Sequence, residues 1–200
     1  MMIAVLANDE QWKELNQDTS NVNLLRIQSL QQVNMPVHGY IILQEINTQQ
    51  LKNIQVPVLL NSVIATLKEL NIQPNVVRIN GWNSFIARKI WEVAGIITDE
   101  VKQIFSLLDK QYIEATDEPG LVAARPIAMI INEAYFALED EISSKREIDI
   151  AMKLGTNYPY GPFEWASIIG VKNVYGLLFA LSQHDKRYLP ASLLQKEAAI

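Results

Sequence analysis

Up to about residue 115 the chain alternates short, apolar, β-rich runs with polar segments of helical spacing, and nothing else in it constrains the fold as strongly. The runs are IAVLA at 3–7, VNLLRI at 22–27, YIIL at 40–43, VPVLL at 56–60 and NVVRI at 75–79, with DEQWKELNQ and NTQQLKNI among the segments between them. Strands that alternate with helices imply βαβ units and a parallel sheet. TDEVKQIFSLLDKQ opens at Thr98 with Asp99 and Glu100 in its first turn. Its Val101, Ile104, Phe105 and Leu108 fall on one face, which predicts an amphipathic helix packed on that sheet.

After Pro119-Gly120 the texture changes. PIAMIINEAYFALEDEI reads as a long apolar helix, and SSKREIDIAMKLG as a second, with Ser143 or Ser144 as N-cap and Gly155 as its stop. YPYGPFEWASIIG is a turn running into a short helix with Pro162 in its first position, and VKNVYGLLFALSQH is a further helix. The expected organisation is a sheet-forming domain over 1–117 and an all-helical domain over 118–200.

Composition removes several classes of function. With 49% hydrophobic content the 200 residues can bury a core, and a net charge of −5 with interspersed signs argues against a nucleic-acid partner. The chain has no cysteine, which removes disulfides, thiolate metal ligands and thiol nucleophiles together. Its two histidines, His38 and His184, lack the spacing of a metal site, so no metal is expected. No run reaches the roughly 18 apolar residues of a membrane span, and MMIAVLANDE has no basic flank before its apolar run. The expectation is a soluble, cytoplasmic protein with no membrane partner.

Four separated elements of the second half have a family look: PGLVAARPIAMIINEAYFALED, EIDIAMKLG, YPYGPFEWASIIGV and RYLPASLL. They resemble, in order and spacing, the helical C-terminal domain of the 3-hydroxyacyl-CoA dehydrogenase (3-hydroxybutyryl-CoA dehydrogenase) family. The resemblance implies a shortened, Rossmann-like α/β domain, a parallel sheet, joined to an all-α domain of the 6-phosphogluconate dehydrogenase C-terminal-like type. It also implies a homodimer paired through the C-terminal helices, an expectation that suits the nearly all-round apolar helix at 126–138, with Ile127, Met129, Ile130, Ile131, Tyr135 and Phe136.

RINGWNSFIARKIWEVAG is similar to the strand-corner-strand segment of that family. With Glu92 on the family's glutamate, Asn83 falls on its asparagine, Asn80 on its catalytic histidine, and Ser84 on its proline. In the family the histidine takes the proton of the 3-hydroxyl while NAD accepts the hydride, and the glutamate orients the imidazole. That chemistry needs a base with a pKa near 7, whereas an amide donates or accepts a hydrogen bond but takes no proton. By the same resemblance Val63 stands where a serine contacts the substrate oxygen, and Ala124 where an asparagine positions the substrate.

The cofactor expectation rests on a separate observation. A dinucleotide fold needs glycines straight after its first strand, so that the backbone can approach the pyrophosphate at a helix N-terminus. Here IAVLA runs into Asn8, Asp9 and Glu10, the first glycine is Gly39, and the eight glycines contain no Gly-x-Gly. No cofactor is therefore expected, although NAD serves the family.

Two readings follow. One is a non-catalytic, dimeric, acyl-CoA-binding or partner protein of the family; the other is an active oxidoreductase converting 3-hydroxyacyl-CoA to 3-oxoacyl-CoA with NAD. Arg125, Lys89 and Lys153 are candidates for CoA phosphates, each with a solvated surface role as its plain alternative. The plain alternative for Glu92 is a surface or corner ion pair with Lys89, Arg88 or Arg78, and for Asn83 a corner that satisfies backbone groups or holds a left-handed conformation. Trp82 and Trp91 read as packing.

Overall fold

A computed structural model describes residues 1–16 and 22–200. The chain divides into two compact units, Met1–Leu121 and Val122–Ile200.

The first unit is built on a seven-stranded sheet of β1 (Met2–Leu6), β2 (Asn23–Ile27), β3 (Gly39–Ile42), β4 (Val58–Asn61), β5 (Val76–Ile79), β6 (Ile90–Ala94) and β7 (Gln111–Glu114). Its order is β2-β1-β3-β4-β5-β6-β7. Every pairing is parallel except β5 with β6. The five strand runs of the sequence thus become β1 to β5, which run parallel to one another.

Alternate strand residues point to opposite faces of a sheet, and the two faces are filled differently. Ile3, Val5, Ile41, Leu59, Val77 and Ile79 pack with residues of α1 (Asp9–Asn16) and α3 (Asp99–Leu107): Leu15 from the first, Val101, Ile104 and Phe105 from the second. The other face buries Ala4, Leu6, Ile27, Tyr40, Ile42, Val58, Leu60 and Val76 together with Leu51, and Leu67 and Leu70 of the single-turn α2 (Leu67–Leu70) pack alongside. Thr98 caps α3 through its side chain, as its place before Asp99 and Glu100 implies.

Two local readings of this unit need correction. NTQQLKNI forms only a 3-10 turn, Thr48–Leu51, with Asn47 capping its start. TDEVKQIFSLLDKQ does not stay helical to its end: α3 stops at Leu107, Asp109 adopts φ 51°, and Gln111 begins β7. Gln17, the last residue of DEQWKELNQ, lies outside the described residues.

The second unit is helical: α4 (Ala124–Glu139), α5 (Lys145–Thr156), α6 (Pro162–Ile169), α7 (Val171–Ser182) and α8 (Ser192–Ala198). Ser144 caps α5 in a reciprocal box with Glu147. Gly155 is not the stop. The helix runs on to Thr156 and ends on Asn157 in the left-handed region at φ 56°. Asparagine tolerates that conformation, and Gly155 faces open space.

The motifs of this unit have visible structural tasks. Asp149 accepts hydrogen bonds from the Phe163 and Glu164 backbone N–H groups at 2.8 and 3.2 Å, and so caps α6. A Cβ on Gly161 would lie 2.3–2.4 Å from the Asp149 side chain, so the cap requires glycine there. Buried Asn132 donates to the Leu189 carbonyl at 2.9 Å and accepts from the Ala191 N–H at 2.8 Å, which fixes the turn before α8. Among the described residues no single helix is long and apolar enough to cross a membrane, and no group of three or more acidic, histidine or cysteine side chains could hold a metal ion.

Candidate functional site

The corner between β5 and β6 carries the residues singled out in the sequence. Their antiparallel register pairs Ile79 with Val93, so one residue further on Asn80 comes level with Glu92. Both are buried, at 4% and 7% exposure, which corrects the reading of Glu92 as a surface charge. Of its three candidate counter-ions, Lys89 is ion-paired to Asp109 and Arg78 to Asp117. Arg88 is the cation that senses Glu92: burial pulls its guanidinium pKa down, and the Glu92 carboxylate pushes it back up. Arg88 also lies over the Phe85 ring at 3.9 Å.

Asn80 has a half-used amide. Its Oδ1 accepts a long 3.4 Å bond from the Trp82 N–H, while its Nδ2 is buried with no partner. A buried donor left unpaired costs about 1–3 kcal/mol. Asn83 neither holds a left-handed conformation nor satisfies the local backbone. It donates from Nδ2 to Glu10 of α1 at 2.9 Å, and the left-handed residue is Ser84, at φ 72°. The Ser84 N–H donates to both Glu14 oxygens at 2.8 and 3.1 Å, so α1 holds the corner at two points. Trp82 and Trp91 are buried packing residues, with Trp82 edge-on to Phe85 and the Trp91 indole donating to the Ile86 carbonyl at 3.0 Å.

Val63 offers the corner no polar side-chain atom. Its side chain is buried, and its carbonyl accepts from Arg78 Nη2 at 3.2 Å and from the Gly120 N–H at 2.7 Å. In the second unit Ala124 opens α4 and is fully buried. Lys153 pairs with Glu164 at 2.5 Å.

Sequence reading missed the polar network under this corner. Arg78, wholly buried, donates to the Ser62 carbonyl at 2.7 Å, to Asp117 Oδ1 at 2.6 Å and to the Glu118 carbonyl at 3.3 Å. Asp117 in turn accepts the Leu67 and Lys68 N–H groups at the start of α2. Burial opposes ionisation of Asp117, but the Leu67 N–H and the Arg78 guanidinium outweigh it and hold the carboxyl below the usual range. Gln11 and Asn61 converge on the Leu43 carbonyl from 3.1 and 3.0 Å, and Asn61 accepts the Gly81 N–H at 3.0 Å. A Cβ on Gly81 would come within 2.8–2.9 Å of Asn61 and Leu43, which is why glycine follows Asn80. The one available signal was an arginine inside an apolar strand run, since such a charge is buried only when paired.

The turn after β1 has its own closed arrangement. Asn8 Oδ1 accepts the Gln11 N–H at 2.8 Å, Gln11 Oε1 accepts the Asn8 N–H at 3.2 Å, and the Trp12 N–H goes to the Asn8 carbonyl at 2.9 Å. Reciprocal capping uses donors that a helix start would otherwise offer to an anion. Asp9 and Glu10 add two carboxylates there. These residues do not fit the diphosphate of a dinucleotide.

Residues 120–199 match the model of the 3-hydroxyacyl-CoA dehydrogenase C-terminal domain. The chain is 43% identical over 93 residues to 3-hydroxyadipyl-CoA dehydrogenase of Escherichia coli, a match covering 46% of this chain and 20% of that protein. It is 33% identical over 111 residues to 3-hydroxybutyryl-CoA dehydrogenase of Bradyrhizobium diazoefficiens, covering 52% of this chain and 38% of that one. The chain thus spans less than half the length of these curated relatives. In fold it is similar to (S)-3-hydroxybutyryl-CoA dehydrogenase from Ralstonia eutropha, with a TM-score of 0.74 over 99% of this chain and 93% of that one at 18% identity. Through its helical half, residues 120–199, the chain is similar to the C-terminal domain of 3-hydroxyacyl-CoA dehydrogenases.

Proposed function

We propose that this protein is an acyl-CoA-binding member of its family, in fatty acid metabolism, that does not turn over NAD on its own. The observation that carries the reading is Asn80: a buried amide whose Nδ2 has no partner stands at the position matched to the catalytic histidine. Such a group donates a hydrogen bond to a carbonyl oxygen but takes no proton from a hydroxyl. Val63 and Ala124 supply no polar side-chain atom at the other two matched positions, and the turn after β1 is closed to a diphosphate. We further propose a cytoplasmic homodimer paired through the helical unit. Its support is family kinship together with Ile150 and Leu154, two apolar side chains one turn apart on α5 that are 43% and 83% exposed.

Calorimetric titration with acetoacetyl-CoA and with NADH, run beside a turnover assay, tests the reading. Acetoacetyl-CoA is expected to bind, and 3-hydroxybutyryl-CoA with NAD to give no reduction. Turnover by the wild-type chain would establish the oxidoreductase reading instead. Asn80→His alone is expected to stay inactive, because the cofactor turn and Ala124 are unchanged. Sedimentation as a monomer would remove the dimer.

A further inference from the structure

The two faces of the sheet are sealed unequally. Among the described residues, the face under α1 and α3 has more buried than partly buried apolar residues, whereas on the other face the partly buried outnumber the buried. α3, a helix of 9 residues, packs with Leu59, Val77 and Val93 on the first face. On the other face Val58, Leu60 and Val76 meet only the 4 residues of α2 and the Thr48–Leu51 turn. Two hollows of about 400 and 370 Å³ lie there, both lined by Asn71, Ile72 and Gln73, where the chain enters β5. Leu51, Leu67, Ile72, Val76 and Ile96 make their apolar walls, and Ile96 is 60% exposed. Lys52 lines the first hollow and Lys68 the second, and no carboxylate lines either. Both lysines are exposed, and among the described residues neither is ion-paired. In a chain of net charge −5 the groove is thus a local positive rim around an apolar floor.

The strands beneath fix the kind of partner. β4, β5 and β6 are each hydrogen-bonded on both sides, so no strand can be added here and a partner must seat side chains on the sheet face. An amphipathic helix does this with its apolar stripe, and largely parallel sheets bury both faces under helices. Free lysines at the rim favour carboxylates on the flanks of that helix. We propose that this groove docks an amphipathic helix of another protein, apolar on its seated face and acidic along its flanks. The groove lies towards the amino ends of β4 and β5, and the inference stands independently of acyl-CoA binding.

The test uses the full chain, labelled with nitrogen-15, and follows backbone amide shifts as designed peptides are added. One peptide is a helix with leucines at i, i+3, i+4 and i+7 and glutamates on both flanks; the second carries lysine for every glutamate, and the third is a scrambled form of the first. The acidic helix is expected to shift the amides of Lys52, Ile72, Gln73 and Ile96 and to bind roughly tenfold more tightly than either control. The double variant Lys52→Glu, Lys68→Glu changes only exposed side chains, and it is expected to reverse the preference towards the lysine peptide. Ile96→Ser is expected to weaken the acidic helix without reversing that preference. Equal binding of the three peptides would overturn the inference. So would no response to the acidic helix at millimolar concentration, shifts confined to the face under α1 and α3, or a preference unmoved by the charge reversal. Self-association that the charge-reversed chain loses in sedimentation would also overturn it, because the occupant would then be a second copy of this chain.

Discussion

The helical unit and the β5–β6 corner both carry polar family positions, but their side chains are engaged very differently. In the helical unit three polar motif residues are satisfied, Asn132 spanning the turn before α8, Asp149 capping α6, and Glu164 accepting the Gly161 N–H at 3.0 Å while pairing with Lys153, whereas the buried Trp165 indole N–H has no partner. At the corner Asn80 keeps a buried donor with no partner, and Val63 has no polar side-chain atom. Motifs that build the fold are kept because losing one orphans a buried group.

The largest expected effect lies beneath the corner. Arg78→Ala leaves Asp117 and three backbone carbonyls without their shared donor, and breaking a buried pair costs about 3–5 kcal/mol. Urea denaturation measures it. A loss under about 1 kcal/mol would show that the corner has no structural network comparable to that of the helical unit. Next comes Asn132→Ala, expected to cost about 1–3 kcal/mol through the orphaned Ala191 N–H and Leu189 carbonyl. Asp149→Ala removes only the cap of α6, so about 0.5–2 kcal/mol is expected in the same assay.

Acid sharpens the comparison further. Asp117 is held below the ordinary carboxylate range, so its stabilisation is complete above the unfolded value, about pH 4, and is lost as pH falls through the lower folded value. The expected result is a stability that declines below that pH, with a shallower decline in Asp117→Asn. Lys153 and the Gly161 N–H lower the Glu164 carboxyl in the helical unit, and because that side chain is more exposed a smaller acid effect is expected there. The smallest effect belongs to Asn80→Leu. Removing the unpaired donor offsets the loss of the long bond that Oδ1 accepts from the Trp82 N–H, so stability is expected to stay within about 1 kcal/mol while acetoacetyl-CoA binding weakens. A strongly destabilised Asn80→Leu chain would mean that the amide is structural, like Asn132.

Local pattern carried the strands well. β1 to β5 were legible because each is a short β-rich run bounded by polar segments, and α3, α5 and α6 because Thr98, Ser144 and Pro162 mark their starts. β7 was hidden because QYIE follows directly on an amphipathic helical period, and only Asp109 in a left-handed conformation separates the two. The site was half legible. Asn80 and Glu92 could be set by resemblance, but the Asn83 bond to Glu10 joins residues 73 apart in the chain, and no spacing rule reaches that far.

By itself the sequence determined the parallel α/β half and the helical half, because periodicity, capping residues and turn glycines act over a few neighbouring residues. Tertiary structure alone decided that Glu92 is buried and that Arg78 serves Asp117. Those outcomes depend on which strand ends meet, and burial then makes a polar group either paired or costly.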